Sequence, residues 1–184
     1  MKFLEYTNGY DAVPEVYLDM DGVLADFFGP VAKHHGVAKW RDARKERAKF
    51  NSKIDKIAKK PGYFKNLKPL PNAGKLINGI LKVIDQYNIL SSPLLSNVEQ
   101  SSDEKGEWLR KHLKKHQPRS IIFDHEKFKF AKQADGTPNV LIDDWGVNTR
   151  AWATHGGIAV KYQADEDTLS KVEQVLAKVF PKDK

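Results

Sequence analysis

The stretch Val16-Tyr17-Leu18-Asp19-Met20-Asp21-Gly22-Val23-Leu24-Ala25-Asp26-Phe27 decides how the rest of the chain is read. Three apolar residues with no polar interruption suit a strand buried on both faces, and the two carboxylates and the glycine that follow mark its end in a polar loop. The same pattern recurs downstream. Apolar runs at 87–90, 121–123, 140–142 and 158–160 are each flanked by charged residues, Gly or Pro. Between them, apolar residues at spacings of three and four predict amphipathic helices over Ala73–Gln86, Asp103–His116 and Asp165–Phe180. Near-continuous apolar strands alternating with such helices specify the α/β class, a doubly wound parallel sheet with helices on both faces. In that class ligands bind beyond the carboxyl ends of the strands.

One interval breaks the alternation. Residues 27–69 hold helix formers and charges but no strand pattern, so they read as a small helical insert after the first strand. The remaining segments, 1–26 and 70–184, then form the core domain. Within the insert, Ala38–Lys60 carries Trp40, Ala43, Arg47, Phe50, Ile54, Ile57 and Ala58 at helical spacing, and Pro61-Gly62 ends it. The segment 41–68 has 11 Lys/Arg against three acids, a net +8, whereas the whole chain carries +7. All the excess positive charge therefore lies in the insert, where it would favour encounter with phosphate-bearing ligands.

Composition narrows the classes further. With 40% apolar residues in 184, the chain can bury a core, which excludes a disordered tail protein. No apolar run approaches the roughly 18 residues that span a bilayer, so no membrane partner is expected. The first residues lack an apolar h-region and a cleavage site, and there is no Cys, which excludes disulfides and thiolate metal sites. A cytoplasmic location is the expectation.

The strand ends gather acids: Asp19 and Asp21 after the first strand, Asp143 and Asp144 after the fourth. A parallel sheet brings both loops to one edge. Four carboxylates there repel one another unless a cation intervenes, and hard oxygen donors without a His or Cys cluster favour Mg²⁺. Bound Mg²⁺ favours a phosphate-bearing substrate. An EF-hand fails because Val23 stands at its fifth position, and no P-loop, zincin or dinucleotide fingerprint occurs. Ser91 and Ser92, ending the second strand before Pro93, offer hydroxyls and N–H groups to phosphate oxygens. Lys105, Lys127, Lys129 and Lys132 are candidate cations for the same group. Phe27, Phe28, Tyr63 and Phe64 are candidates for stacking on a base, although aromatic residues at such spacing are more often core.

Residues 16–27 resemble the first motif of the haloacid dehalogenase superfamily, and closely that of its 5'(3')-deoxyribonucleotidase branch with its phage relatives. Further likenesses keep the order of that branch: residues 62–73, Leu90-Ser91-Ser92-Pro93, Lys105 with Trp108, Leu141-Ile142-Asp143-Asp144, then Asn148, Trp152 and Gly156-Gly157. The resemblance runs from about Val16 to Val160. It implies a Mg²⁺-dependent phosphatase in which Asp19 is the nucleophile, forming an aspartyl-phosphate, and Asp21 the general acid and base. It also implies that Ser91 holds phosphate, that Asp144 and Asp143 bind Mg²⁺ with Asp19 and the carbonyl of Asp21, and that Lys127 is the motif-three lysine, with Lys129 and Lys105 as alternatives. Substrate choice would reside in the 27–69 cap. The branch commonly has Thr at the place of Ser91 and Pro-Gly-Ala where residues 71–73 read Pro-Asn-Ala. A deoxyribonucleoside monophosphate is the expected substrate. A phosphorylated end of DNA or RNA, or a non-catalytic nucleic-acid-binding role, is the alternative.

Overall fold

The computed structural model describes residues 12–37 and 54–181. Five strands form one parallel sheet: β1 (Val16–Leu18), β2 (Asn88–Ser91), β3 (Ser120–Phe123), β4 (Val140–Asp143) and β5 (Ile158–Lys161), in the spatial order β3-β2-β1-β4-β5. Each of the five apolar runs is a strand, with boundaries shifted by a residue at most. The helices are α1 (Phe28–His34), α2 (Ala73–Ile80), α3 (Val98–His112), α4 (Gly146–Thr154) and α5 (Ser170–Val179), with 3₁₀ turns at Phe64–Asn66 and Lys127–Phe130. Most of the expected Ala38–Lys60 helix lies outside the described residues, and positions 54–58 are helical.

Residues cluster into two units. The first comprises 1–24, 70–92 and 118–184, and the second 25–69 with 93–117.

In the first unit, strand alternation sorts the core. Tyr17, Leu90 and Leu141 share one face with Trp152 and Ala131, and partly buried Ile122, Phe130 and Ala159 pack on them. Val16, Leu18, Ile89, Ile142 and Val160 alternate with these and turn to the other side, all 3% exposed or less. The central strands are buried on both faces, whereas β3 and β5 at the edges are partly exposed, as the sheet order requires. Helix α2 buries Ala73, Leu76, Ile77 and Ile80 and packs against α5 through Val172 and Leu176. Gly157 has a packing reason: a β-carbon there would stand 2.2 Å from Trp152 Nε1 and 2.8 Å from the Ala131 carbonyl. The indole N–H donates to the carbonyl of Asn139 at 3.0 Å.

The second unit is tied together by α3. Glu104 accepts the N–H of Gly62 at 2.6 Å and of Phe64 at 3.0 Å, and Trp108 Nε1 donates to the carbonyl of Leu67 at 2.8 Å. Val31 and Ala32 of α1 form a smaller core with Phe28, Val37 and Ile54.

Three helix boundaries differ from those the periodicity predicts. Helix α3 starts at Val98 rather than Asp103 because its first turn is polar and carries no apolar period. Helix α5 starts at Ser170 rather than Asp165: Asp167 accepts the N–H of Gln163 and Asp165 accepts its side-chain amide, stabilising a loop instead. Helix α2 ends at Ile80, and Val83 and Ile84 both donate to the Ile80 carbonyl in the turns that follow.

Candidate active site

Strand order fixes where the chemistry gathers. β2 and β3 lie on one side of β1, β4 and β5 on the other, so the direction of winding reverses between β1 and β4. At such a reversal, loops leaving the carboxyl ends diverge and open a crevice. Asp19 follows β1, its N–H still bonded to the carbonyl of Ile142 in β4 at 2.9 Å. Asp143 ends β4, and Asp144 comes next.

One carboxylate oxygen from each of Asp19, Asp143 and Asp144 lies within 4.8 Å of the others. Lys127, 2% exposed, sits among them with Nζ 2.9 Å from Asp19 Oδ1 and 2.7 Å from Asp143 Oδ2. Burial opposes its charge, but the carboxylates of Asp19 and Asp143 outweigh burial and hold its pKa above the ordinary lysine value. Asp143 is fully buried and heavily engaged: Oδ1 accepts the N–H of Trp145 at 2.7 Å, and Oδ2 accepts Lys127 and Asn148 Nδ2. Asp144 is half-buried. Burial, then the charges of Asp19 and Asp143, push its carboxyl well above the usual range, and Asp21 adds to the effect. Asp21 therefore belongs to the same electrostatic cluster.

Asp19 is held on one oxygen. Its Oδ1 accepts the N–H of Met20 at 2.8 Å as well as Lys127, and among the described residues no protein donor is placed on Oδ2. The turn after it depends on Gly22, whose φ of 73° lies in the left-handed region, and whose carbonyl accepts the N–H of Ala164 at 2.9 Å. Ser91 is buried at the end of β2, beside β1, and its carbonyl accepts the N–H of Asp124. Ser92 Oγ donates to the carbonyl of Asp124 at 3.3 Å.

Lys129 is exposed and paired with Glu126 and Asp124. Lys105 is buried in the second unit with Nζ 4.9 Å from the centre of the Phe64 ring. Two of the candidate stacking residues, Phe27 and Phe64, need correction. Phe64 is 2% exposed, its ring stacked on that of Phe27 at 6.0 Å with Lys105 against it, so Phe27 and Phe64 are core of the second unit. Tyr63 meets both rings edge-on and donates its hydroxyl to the Phe27 carbonyl at 2.8 Å.

Three acids against one ammonium leave an excess of negative charge on hard oxygen donors, a set that suits a divalent cation such as Mg²⁺. Asn148, the donor that orients Asp143, is the polar residue one turn into the helix after the acidic pair. Its sequence signal is its place in the family resemblance, five residues after Asp143.

Comparison with known proteins follows the geometry. Residues 12–171 match the family described as 5' nucleotidase, deoxy (pyrimidine), cytosolic type C protein, NT5C. The chain belongs to the NT5C family. Its membership carries the reaction class, and the protein is a phosphoric monoester hydrolase of the haloacid dehalogenase superfamily, in the deoxyribonucleotidase-like branch. A protein of Bordetella bronchiseptica, provisionally named a 5'(3')-deoxyribonucleotidase, is 30% identical over 154 residues, covering 74% of this chain and 76% of its own. The human 5'(3')-deoxyribonucleotidase of cytosolic type is 29% identical over 129 residues, 61% of this chain and 64% of its own. Among solved structures, a Had-superfamily hydrolase of Ehrlichia chaffeensis superposes with a TM-score of 0.57 at 11% identity, covering 90% of this chain and 96% of its own, which shows a shared fold. No helix among the described residues is long and apolar enough to cross a membrane.

Proposed function

We propose that this NT5C-family hydrolase releases phosphate from a deoxyribonucleoside monophosphate through a phosphoryl group carried on Asp19. One observation carries the reading: the buried Lys127 ammonium is shared by Asp19 and Asp143 and meets Asp19 on Oδ1, and among the described residues no protein donor is placed on Oδ2.

Asp19 Oδ2 attacks phosphorus while the bond from phosphorus to the nucleoside oxygen breaks, and Asp21 gives that oxygen its proton. Water then attacks the phosphoryl-aspartate. Asp21, now a base, takes the proton from water as the bond to Asp19 breaks and inorganic phosphate leaves. Lys127 neutralises the phosphoryl oxygens and damps their repulsion from Asp19. Ser91 supplies its hydroxyl and Ser92 its N–H to the same group. Asp19, Asp144 and the carbonyl of Asp21 would hold Mg²⁺, and Asp143, already committed to three donors, would orient the set. The ion, when bound, polarises the phosphoryl group and offsets the charge of the acids.

The 27–69 insert is the substrate-selecting cap in this reading, and its basic stretch 41–68 favours phosphorylated ligands. A cytoplasmic location fits the lack of Cys and the cytosolic type of the human relative.

The test is a panel of nucleoside monophosphates assayed for phosphate release with and without Mg²⁺, together with acid-quenched reactions of a phosphate-labelled substrate. Wild type should retain label on the protein, releasable by hydroxylamine, and Asp19→Asn should retain none and turn nothing over. Undiminished turnover by Asp19→Asn would refute the covalent route.

A further inference from the structure

The chain leaving edge strand β5 returns to the turn that carries Asp21. β5 ends at Lys161, yet Tyr162, Gln163 and Ala164 remain buried, at 0%, 5% and 5% exposure. Alternate N–H groups of this segment bond to the two acid-bearing loops. Tyr162 donates to the carbonyl of Asp143 at 3.0 Å, which prolongs the β4–β5 ladder. Ala164 donates to the carbonyl of Gly22 at 2.9 Å, which passes over β4 to the turn after β1. One short stretch of backbone thus joins the end of β4 to the residue beside Asp21.

A carboxylate with no part in the reaction above holds this stretch in shape. Asp167 Oδ2 accepts the N–H of Gln163 at 2.8 Å, and the Asp167 N–H donates to the carbonyl of Gln163 at 2.8 Å. Asp165 Oδ1 accepts the Gln163 side-chain amide at 2.7 Å, and Lys171 pairs with the other Asp167 oxygen at 3.2 Å. Gln163 lies between the two N–H groups that reach the loops, so closing the chain on Gln163 fixes the direction of both. The turn after β1 is also bonded at Asp19, to Ile142, and at Leu24, to Leu70. Gly22, with φ of 73°, is where that turn bends most freely, and a bond from outside at Gly22 limits the swing of Asp21.

We infer that Asp167 is a positioning residue for Asp21: through Gln163 it keeps the Ala164 N–H on the Gly22 carbonyl, and that bond sets the angle at which the Asp21 carboxyl meets the leaving oxygen. This rests on the phosphatase reading above and deepens it. Proton transfer requires its donor within hydrogen-bond reach, and a displacement of about 1 Å costs up to about 10²-fold in rate.

The test compares two phosphate esters that need a proton to different degrees. The nucleoside oxygen of a deoxyribonucleoside monophosphate leaves well only when protonated, whereas nitrophenolate leaves p-nitrophenyl phosphate unaided. The quantity read is the ratio of kcat/KM for the nucleotide to kcat/KM for p-nitrophenyl phosphate. It is measured for wild type, Asp167→Ala, Asp167→Asn and a protein carrying an amide-to-ester replacement at the N–H of residue 164. Asp167→Ala should lower the ratio about tenfold. Asp167→Asn, which keeps an oxygen acceptor for the Gln163 N–H, should restore it to within about threefold of wild type. The amide-to-ester replacement deletes one donor and no side chain, and should lower the ratio by about threefold or more. A ratio unmoved by Asp167→Ala or by that replacement overturns the inference, and an equal loss on both substrates, the mark of a purely structural role, is such a case. Where Asp167→Ala does not fold, the replaced amide decides.

If wild type hydrolyses neither substrate, the phosphatase reading fails separately, and amide hydrogen exchange still tests the positioning bond. The Leu24 N–H, which donates to the Met20 carbonyl across the turn at 2.8 Å, should exchange about tenfold or more faster in Asp167→Ala than in wild type. Equal exchange in the two proteins refutes it.

Discussion

Oδ1 of Asp19 lies 2.9 Å from the ammonium of Lys127, inside the protein and away from bulk water. A cation so placed lowers the cost of bringing an anionic phosphoryl group to an anionic nucleophile. Lys127→Ala should therefore reduce the turnover number by about 10²- to 10³-fold, the range for losing a preorganised charge at the reacting group. Steady-state phosphate release checks it, and a loss under threefold would show that Lys127 serves only the fold.

The same substitution leaves the acids without their internal counter-charge. Breaking a buried ion pair by deleting one partner costs about 3–5 kcal/mol. Lys127→Ala in EDTA should melt well below wild type, and adding Mg²⁺ should recover part of the difference. Differential scanning fluorimetry with and without the ion reads both effects.

Asp144 and Asp143 should behave differently although they are neighbours. Asp144→Asn should weaken Mg²⁺ binding more than tenfold, read as the ion concentration that gives half the thermal shift, with little change in the melting temperature of the ion-free protein. Asp143→Asn should lower that melting temperature itself, because the Lys127, Trp145 and Asn148 donors lose their carboxylate acceptor.

Glu104 makes the second unit sensitive to acid. Burial alone would raise its pKa, but the N–H of Gly62, the side-chain amide of Gln100 and the N–H of Phe64 outweigh that and hold the carboxyl below the usual range. A carboxyl depressed by folding stabilises above its unfolded pKa, and the gain is lost as pH falls through the folded value. Glu104→Gln should cost about 2 kcal/mol at pH 7, where it disrupts two bonds to a charged acceptor. The gap between wild type and variant should close as pH is lowered toward 3. Urea denaturation across pH measures it, and a gap constant with pH would exclude a charged Glu104.

Gly157→Ala should destabilise by about 2 kcal/mol, since the new methyl group meets Trp152 and the Ala131 backbone and one of them must move. Gly74→Ala, where a β-carbon meets nothing within 4 Å, is the matched control and should be neutral or slightly stabilising.

The sheet and its acids were legible because each strand is a short apolar run stopped by a polar residue, a signal that survives without tertiary information. Asp19 and Asp143 follow from that pattern plus parallel topology. The choice among lysines was legible only through the family resemblance, which put Lys127 before Lys129 and Lys105, and not from composition or spacing. In a 3₁₀ turn, residues two apart point to different sides, so Lys127 is turned inward and Lys129 out to Glu126, a distinction that composition does not carry. The pairing of Phe27 with Phe64 was hidden for another reason, since spacing along the chain reports a face and not its partner. Trp145 sits outside any apolar period, and only its exposure in the folded protein separates it from a core tryptophan.

The ladder that aligns β4 with β1, Val16 with Val140, Tyr17 with Leu141 and Leu18 with Ile142, also acts as a ruler for the acidic pair. A single inserted or deleted residue in β4 would exchange the sealed aspartate for the wetter one and turn every side chain of the strand over. Residues added to the loops around this edge would leave that register in place, whereas a changed count between Asn139 and Asp144 would not.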